Sequence, residues 1–183
     1  PAPEYTGIVF RRTDLGEGAV VRALAENVSS TARSTTISEG EASVSTIEHL
    51  MSALTGMGID NAVVELNNVE VPILDGSAQP YVKAFSEAGL VEQDADRQFI
   101  DIPDEIEIKD DKTGSWVKIK PAAAPSYDIT VDFNSRVLGV QSAAWDLSKD
   151  YASEIGPCRT FVFFHEVEFL LANNLVKGGD VDN

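Results

Sequence analysis

The pair Glu48-His49 is the feature of this sequence best suited to chemistry. A carboxylate next to an imidazole joins a proton acceptor to a metal ligand, the combination that hydrolysis by an activated water requires. The chain has two histidines, His49 and His165, and one cysteine, Cys158. A lone cysteine makes neither an internal disulfide nor a thiolate cage, so any metal is held by histidine and carboxylates, and zinc fingers are excluded. Glu48-His49 lacks the second histidine of H-E-x-x-H and is not by itself a complete local zinc motif.

The element that must carry this pair is a helix. Ile47, Leu50, Met51 and Leu54 recur at helical spacing, Ser45 stands where an N-cap belongs, Glu48 falls three residues later as in a capping box, and Gly56 and Gly58 end the pattern. On that helix His49 lies nearly opposite the apolar stripe, on a face shared with Ser52, Ala53 and Gly56. Small residues around an imidazole leave room for a ligand or for a second packed layer. A helix N-terminus also biases the ring toward its neutral, metal-binding form. The residues alone equally fit a capping box closed by Glu48 and an ordinary, partly exposed His49.

The surrounding pattern alternates strands with helices. Thr6 to Arg11 reads as a strand, Thr35 to Ser45 as a hairpin turning near Gly40, and Asn61 to Leu66 and Val69 to Leu74 as two further strands. After the Asp75-Gly76-Ser77 turn, Ser77 caps a second helix carrying Tyr81, Val82, Phe85 and Ala88 and ending at Gly89. Beyond the polar stretch Glu92 to Gln98 the signals restart: strands at Phe99 to Ile108, Ser115 to Ile119 and Tyr127 to Phe133, then helical spacing over Phe164 to Asn174. Strands followed by segregated helices, twice over, predict an α+β fold of two sheet-and-helix domains, 1–92 and 99–183, the second incomplete.

Composition bounds the function. With 183 residues and 43% hydrophobic content the chain can bury a sizeable core. No run of about 18 apolar residues and no leader pattern is present, so the expectation is a soluble, cytoplasmic protein without an integral membrane segment. Thirty acidic residues against fourteen basic ones give a net charge of -16, which opposes nucleic-acid binding.

One long stretch is specific. The run from Ser45 to Val82, S-T-I-E-H-L-M-S-A-L-T-G-M-G-I-D-N-A-V-V-E-L-N-N-V-E-V-P-I-L-D-G-S-A-Q-P-Y-V, resembles the UDP-3-O-acyl-N-acetylglucosamine deacetylases throughout. Pro1 to Leu15, Ile129 to Asn134 (I-T-V-D-F-N) and Cys158 to Asn183 (C-R-T-F-V-F-F-H-E-V-E-F-L-L-A-N-N-L-V-K-G-G-D-V-D-N) fit the same family, with Glu92 to Ala124 the least distinctive part.

The resemblance implies a zinc-dependent hydrolase that removes the N-acetyl group of UDP-3-O-(3-hydroxyacyl)-N-acetylglucosamine in the lipid A (lipopolysaccharide) biosynthesis of a Gram-negative bacterium. It matches His49 to a zinc ligand and Glu48 to the general base that activates the attacking water. Thr160 matches a hydrogen-bond donor to the tetrahedral oxyanion, Phe161 an aromatic packed on the hexosamine, and Asp132 and Phe133 a pair that bonds and stacks on uracil. Phe164, Val167 and Val181 correspond to an apolar passage for the acyl chain. Without the family, Phe133, Phe164, Val167 and Val181 read as core, Thr160 as a turn residue and His165 as a surface residue on the last helix. The resemblance also implies that the other zinc ligands, a phosphate-binding lysine and a general-acid histidine lie beyond Asn183, and a first strand before Pro1. The chain is then an internal fragment, expected to be inactive alone. The other readings are a catalytically silent relative that binds nucleotide sugars or a regulatory partner, and a zinc amidohydrolase acting on another sugar.

Overall fold

The computed structural model describes residues 2–172, which hold mixed helices and sheets of the α+β class. Among them, 2–95 together with 151–172 form one compact unit and Asp96–Asp150 another.

In the first unit, β1 (Ile8–Arg12) is central. It pairs antiparallel with β2 (Val20–Arg22), and two short antiparallel neighbours, β3 (Val28–Ser30) and β4 (Thr36–Glu39), belong with β5 (Ala42–Val44) to a second sheet in the order β3-β4-β5. The β4–β5 hairpin turns at Gly40, whose φ of 60° is one that L side chains rarely adopt. Helix α1 (Glu48–Gly56) follows, then β6 (Ala62–Leu66), which pairs parallel with β1 from Ile8↔Ala62 to Arg12↔Leu66. The strand expected at Val69 to Leu74 is absent as such. This segment makes a single parallel bridge, Ser45↔Glu70, because β5 ends at Val44 and offers no further ladder. Helix α2 (Gln79–Ala88) carries Pro80 in its first turn and stops at Gly89 with φ 78°.

The core joins both sheets to both helices: Phe10, Val21, Ile37, Val44, Leu50 and Leu54 are buried together with Val71. A second cluster, Ala53, Ala78 and Val82, seats α1 on α2 through small side chains that let the helices approach. Tyr151 and Ala152 of the short helix α3 (Tyr151–Glu154) pack against that cluster. This α3 layer accounts for the small-residue face around His49. The Tyr151 hydroxyl bonds the Ser52 hydroxyl at 2.7 Å, and a Cβ on Gly56 would come within 2.4 Å of the Tyr151 ring. Alanine normally improves a helix by up to about 1 kcal/mol over glycine, but overpacking costs about 1–3 kcal/mol, so Gly56→Ala is expected to lower stability in denaturant titration. A variant more stable than wild type would show that Tyr151 yields freely.

The second unit consists of two antiparallel pairs, β7 (Ile106–Lys109) with β8 (Trp116–Ile119) and β9 (Ser126–Asp132) with β10 (Val140–Asp146). The alternation of Tyr127, Ile129 and Val131 is real, and in register they face Trp145, Ala143 and Gln141. No residue of Asp96–Asp150 is buried, however, since a two-stranded ribbon supplies no opposing layer. The core reading of Phe133 is corrected accordingly: it is half-buried. Helix α4 (Phe164–Ala172) forms where the spacing predicted it. Its Phe164 is 91% exposed, which corrects the core reading there too. No helix among the described residues is long and apolar enough to cross a membrane.

Candidate active site

The chain enters α1 through a constrained turn. The Ser45 N–H donates to Val69 O at 2.8 Å and the Ser45 carbonyl accepts from the Val71 N–H at 3.0 Å, fixing the end of β5 against the 69–71 segment. Thr46 comes next, with φ 58° and a buried side chain whose hydroxyl donates to Glu70 Oε1 at 2.8 Å. A β-branched residue in the left-handed region costs about 1–3 kcal/mol and persists only where its surroundings hold it. Ile47 is buried, and Glu48 is the first helical residue.

The expected capping box does not form. The position preceding the helix is Ile47, without a side-chain cap, while Ser45 is taken up by the bridge. The helix starts later than the Ser45 cap requires, so Glu48 sits in its first turn and its carboxylate reaches across to another segment, accepting the Thr35 N–H on Oε2 at 3.1 Å. One carboxylate oxygen is thus anchored to backbone, and a negative charge in the first turn complements the helix dipole. Glu48 and His49 are both half-buried.

Thr160 is held by the turn that begins α2. Its N–H donates to Gly76 O at 2.8 Å, and the preceding Arg159 donates through Nε to Asp75 O at 2.7 Å. Gly76 has φ 78°, and its missing Cβ would lie 3.4 Å from the Thr160 methyl carbon, so the turn meets Thr160 at van der Waals distance. Ser77 donates to Asp75 Oδ1 at 2.8 Å and accepts the Gln79 N–H at 3.1 Å, but the position preceding α2 is Ala78, so Ser77 stands one residue before the cap position expected of it. That hydroxyl, together with the charge of Arg159, holds the Asp75 carboxyl below its ordinary range. Because Ala78 packs on Ala53, Thr160 belongs to the same packed body as the helix that carries Glu48 and His49.

The aromatic run after Thr160 is locally ordered. Phe161 and Phe163 meet edge to face at 5.5 Å, and Phe163 stacks on His165 at 5.4 Å. His165 is exposed, as expected of a surface residue. Phe164 and Val167 lie on α4 a turn apart, Phe164 exposed and Val167 half-buried. Glu166 anchors the start of this helix by accepting the Phe163 N–H at 3.2 Å, and it pairs with Arg33 at 2.9 Å. These two contacts, the backbone bond first, keep its carboxyl below the usual range. Arg33 stands two residues before Thr35, so one segment touches both Glu48 and α4.

Asp132 and Phe133 lie in the second unit, at the end of β9. Asp132 Oδ1 accepts the Asn134 N–H at 2.8 Å, and the Phe133 N–H donates to Gly139 O at 3.2 Å. Val181 lies outside the described residues. Among the described residues no group of three His, Cys, Asp or Glu could hold a metal ion, so His49 is a single candidate ligand.

Sequence reasoning missed Thr35, Thr46, Glu70, Tyr151 and Arg33. None has a pattern signal. Their contacts span separations of 13 residues for Thr35–Glu48, 24 for Thr46–Glu70 and 99 for Ser52–Tyr151, and a left-handed threonine cannot be read from residue type.

Similarity to known proteins bears on this arrangement. The family model described as "LpxC: UDP-3-O-acyl N-acetylglycosamine deacetylase" matches residues 1–183. A protein of Porphyromonas gingivalis named bifunctional enzyme LpxC/FabZ is 44% identical over 183 residues, covering 100% of this chain and 40% of that protein. Proteins named UDP-3-O-acyl-N-acetylglucosamine deacetylase from Thioalkalivibrio sulfidiphilus and Pseudomonas entomophila are 42% and 45% identical over 100% of this chain, which spans 60% and 61% of their lengths.

Proposed function

The chain belongs to the UDP-3-O-acyl N-acetylglycosamine deacetylase family, and we propose on that basis that the whole protein hydrolyses the N-acetyl group of a UDP-3-O-acyl-N-acetylglucosamine during lipid A biosynthesis. The observation that carries this reading is the family match over residues 1–183, which includes the strained turn that presents Glu48-His49 at a helix start.

In this reading Glu48 is the general base. Its Oε2 is occupied by the Thr35 N–H, which orients the carboxylate and leaves Oε1 to take a proton from the attacking water. Glu48 keeps that proton while the departing amine is protonated by the general-acid histidine that the family resemblance assigns to another part of the whole protein. Thr160, fixed through its backbone to Gly76, offers its hydroxyl to the oxyanion that develops on the acetamide carbonyl. Phe161 packs on the sugar, Asp132 and Phe133 receive the uracil, and Phe164, Val167 and Val181 line the passage for the acyl chain. We keep 1–92 as the first domain and 99–183 as the opening part of the second as a proposal, in which residues 151–172 of the second pack in one compact unit with 2–95.

The donor chemistry of His49 fits zinc: it is a half-buried imidazole in the first turn of α1, and an imidazole nitrogen is a usual zinc ligand. A single histidine does not make a site, so the remaining ligands are assigned to parts of the whole protein other than residues 2–172. When bound, zinc lowers the pKa of a coordinated water toward about 7 and polarises the carbonyl. The enzyme works in the cytoplasm on a nucleotide-sugar substrate, with no nucleic-acid partner.

Acetate release by the full-length protein tests the proposal. UDP-3-O-acyl-N-acetylglucosamine should be turned over, with activity abolished by chelation and restored by zinc. Removal of the 3-O-acyl chain should depress kcat/KM. Binding of the nucleotide sugar without acetate release would identify a silent relative instead, and equal turnover of sugars lacking the acyl chain would indicate a different amidohydrolase.

A further inference from the structure

We propose that Glu70 is a positioning residue for the reaction, acting through the hydroxyl of Thr46 to hold the turn that aims Glu48 and His49. The inference rests on the deacetylase reading and deepens it.

Three observations carry it. Thr46 is a β-branched residue with φ 58°, two positions before Glu48, so the first turn of α1 is aimed by a backbone conformation that threonine does not adopt unaided. Its side chain is buried, and its hydroxyl donates to Glu70 Oε1 at 2.8 Å, so the turn is tied by a side-chain bond that is itself shielded from water. Glu70 is itself fixed in place, because the backbone on either side of it pairs with Ser45 through Val69 O and the Val71 N–H. The 69–71 segment thus grips the turn twice, by backbone at Ser45 and by side chain at Thr46.

Without the carboxylate, the backbone of Thr46 has less to keep it in the left-handed region, and α1 can start with Ile47 and Glu48 rotated. The cores below and beside the helix would still hold it: Leu50 and Leu54 pack in one cluster and Ala53 in the other. The result would be a folded protein whose base is misaimed. This separates positioning from a simple contribution to stability.

The experiment uses the full-length enzyme, saturated with zinc, with kcat and KM referred to the folded, zinc-loaded fraction. Glu70→Ala and Thr46→Val are expected to lower kcat about tenfold or more with KM changed by less than about threefold, because loss of aim at the reacting centre costs rate rather than substrate binding. Thr46→Ser and Glu70→Gln, which keep a donor and an acceptor, are expected to recover most of the lost rate. Wild-type kcat in folded Glu70→Ala would overturn the proposal, as would losses of equal size in the Ser and Gln variants. Should Thr46→Val fail to fold, Glu70→Ala, changed at a half-buried position, decides by the same criteria. Failure of the underlying reading would look different, since the wild-type enzyme itself would then release no acetate.

Discussion

In the full-length enzyme, Glu48→Gln is expected to lower kcat by about 10²-fold or more while zinc stays bound, since a positioned general base contributes about 10²–10⁴ to rate. The substitution keeps the shape of the side chain and an oxygen that can accept the Thr35 N–H, so the first turn of α1 should be undisturbed. What it removes is the ability to take a proton. His49→Ala should behave oppositely in one respect, losing zinc occupancy together with activity, because it deletes a ligand rather than a base. Metal analysis alongside steady-state kinetics on both variants separates the two roles. Near-normal turnover in Glu48→Gln, or zinc loss as severe as in the His49 variant, would refute the assignment of Glu48 as the base.

The 183-residue chain on its own is expected to bind zinc well below one equivalent and to release no acetate. A catalytic zinc normally takes three protein ligands and a water, and among the described residues His49 has no two partners that would complete such a set. The net charge of -16 adds to the deficit by repelling a diphosphate substrate at long range. Zinc content by metal analysis and an acetate-release assay on the purified chain test both halves. Stoichiometric zinc with measurable turnover would mean that the ligand set lies within this chain, and Asp180, Asp182 and His165 would be the residues to substitute next.

The extent to which sequence anticipated structure differs by element. The α2 helix was legible because its signals are local: Pro80 in the first turn, apolar residues at helical spacing and a glycine at the end. The β4–β5 hairpin was legible for the same reason, with Gly40 marking the turn. Local patterning misjudged the start of α1. Ser45 and Glu48 have the spacing of a capping box, yet the Ser45 backbone is claimed by residues 69–71 and Glu48 by Thr35, and neither competitor is near in sequence. β10 was not anticipated, because its Ala143 and Ala144 give little alternation and its pairing is with β9 across a turn.

By itself, the sequence determined the α+β class, the helical setting of Glu48-His49 and, through the long run from Ser45 to Val82, the family. Those properties follow from residue type and short-range spacing, which are written along the chain. The tertiary structure alone decided how the pair is presented: the left-handed Thr46, the clasp by Glu70, the Thr35 N–H on Glu48, the Tyr151 layer over Ser52 and Gly56, and the seating of Thr160 on Gly76. Each depends on a contact between segments distant in sequence. Burial and hydrogen-bond satisfaction fix such contacts only once the sheets and helices have packed, and no local pattern encodes them.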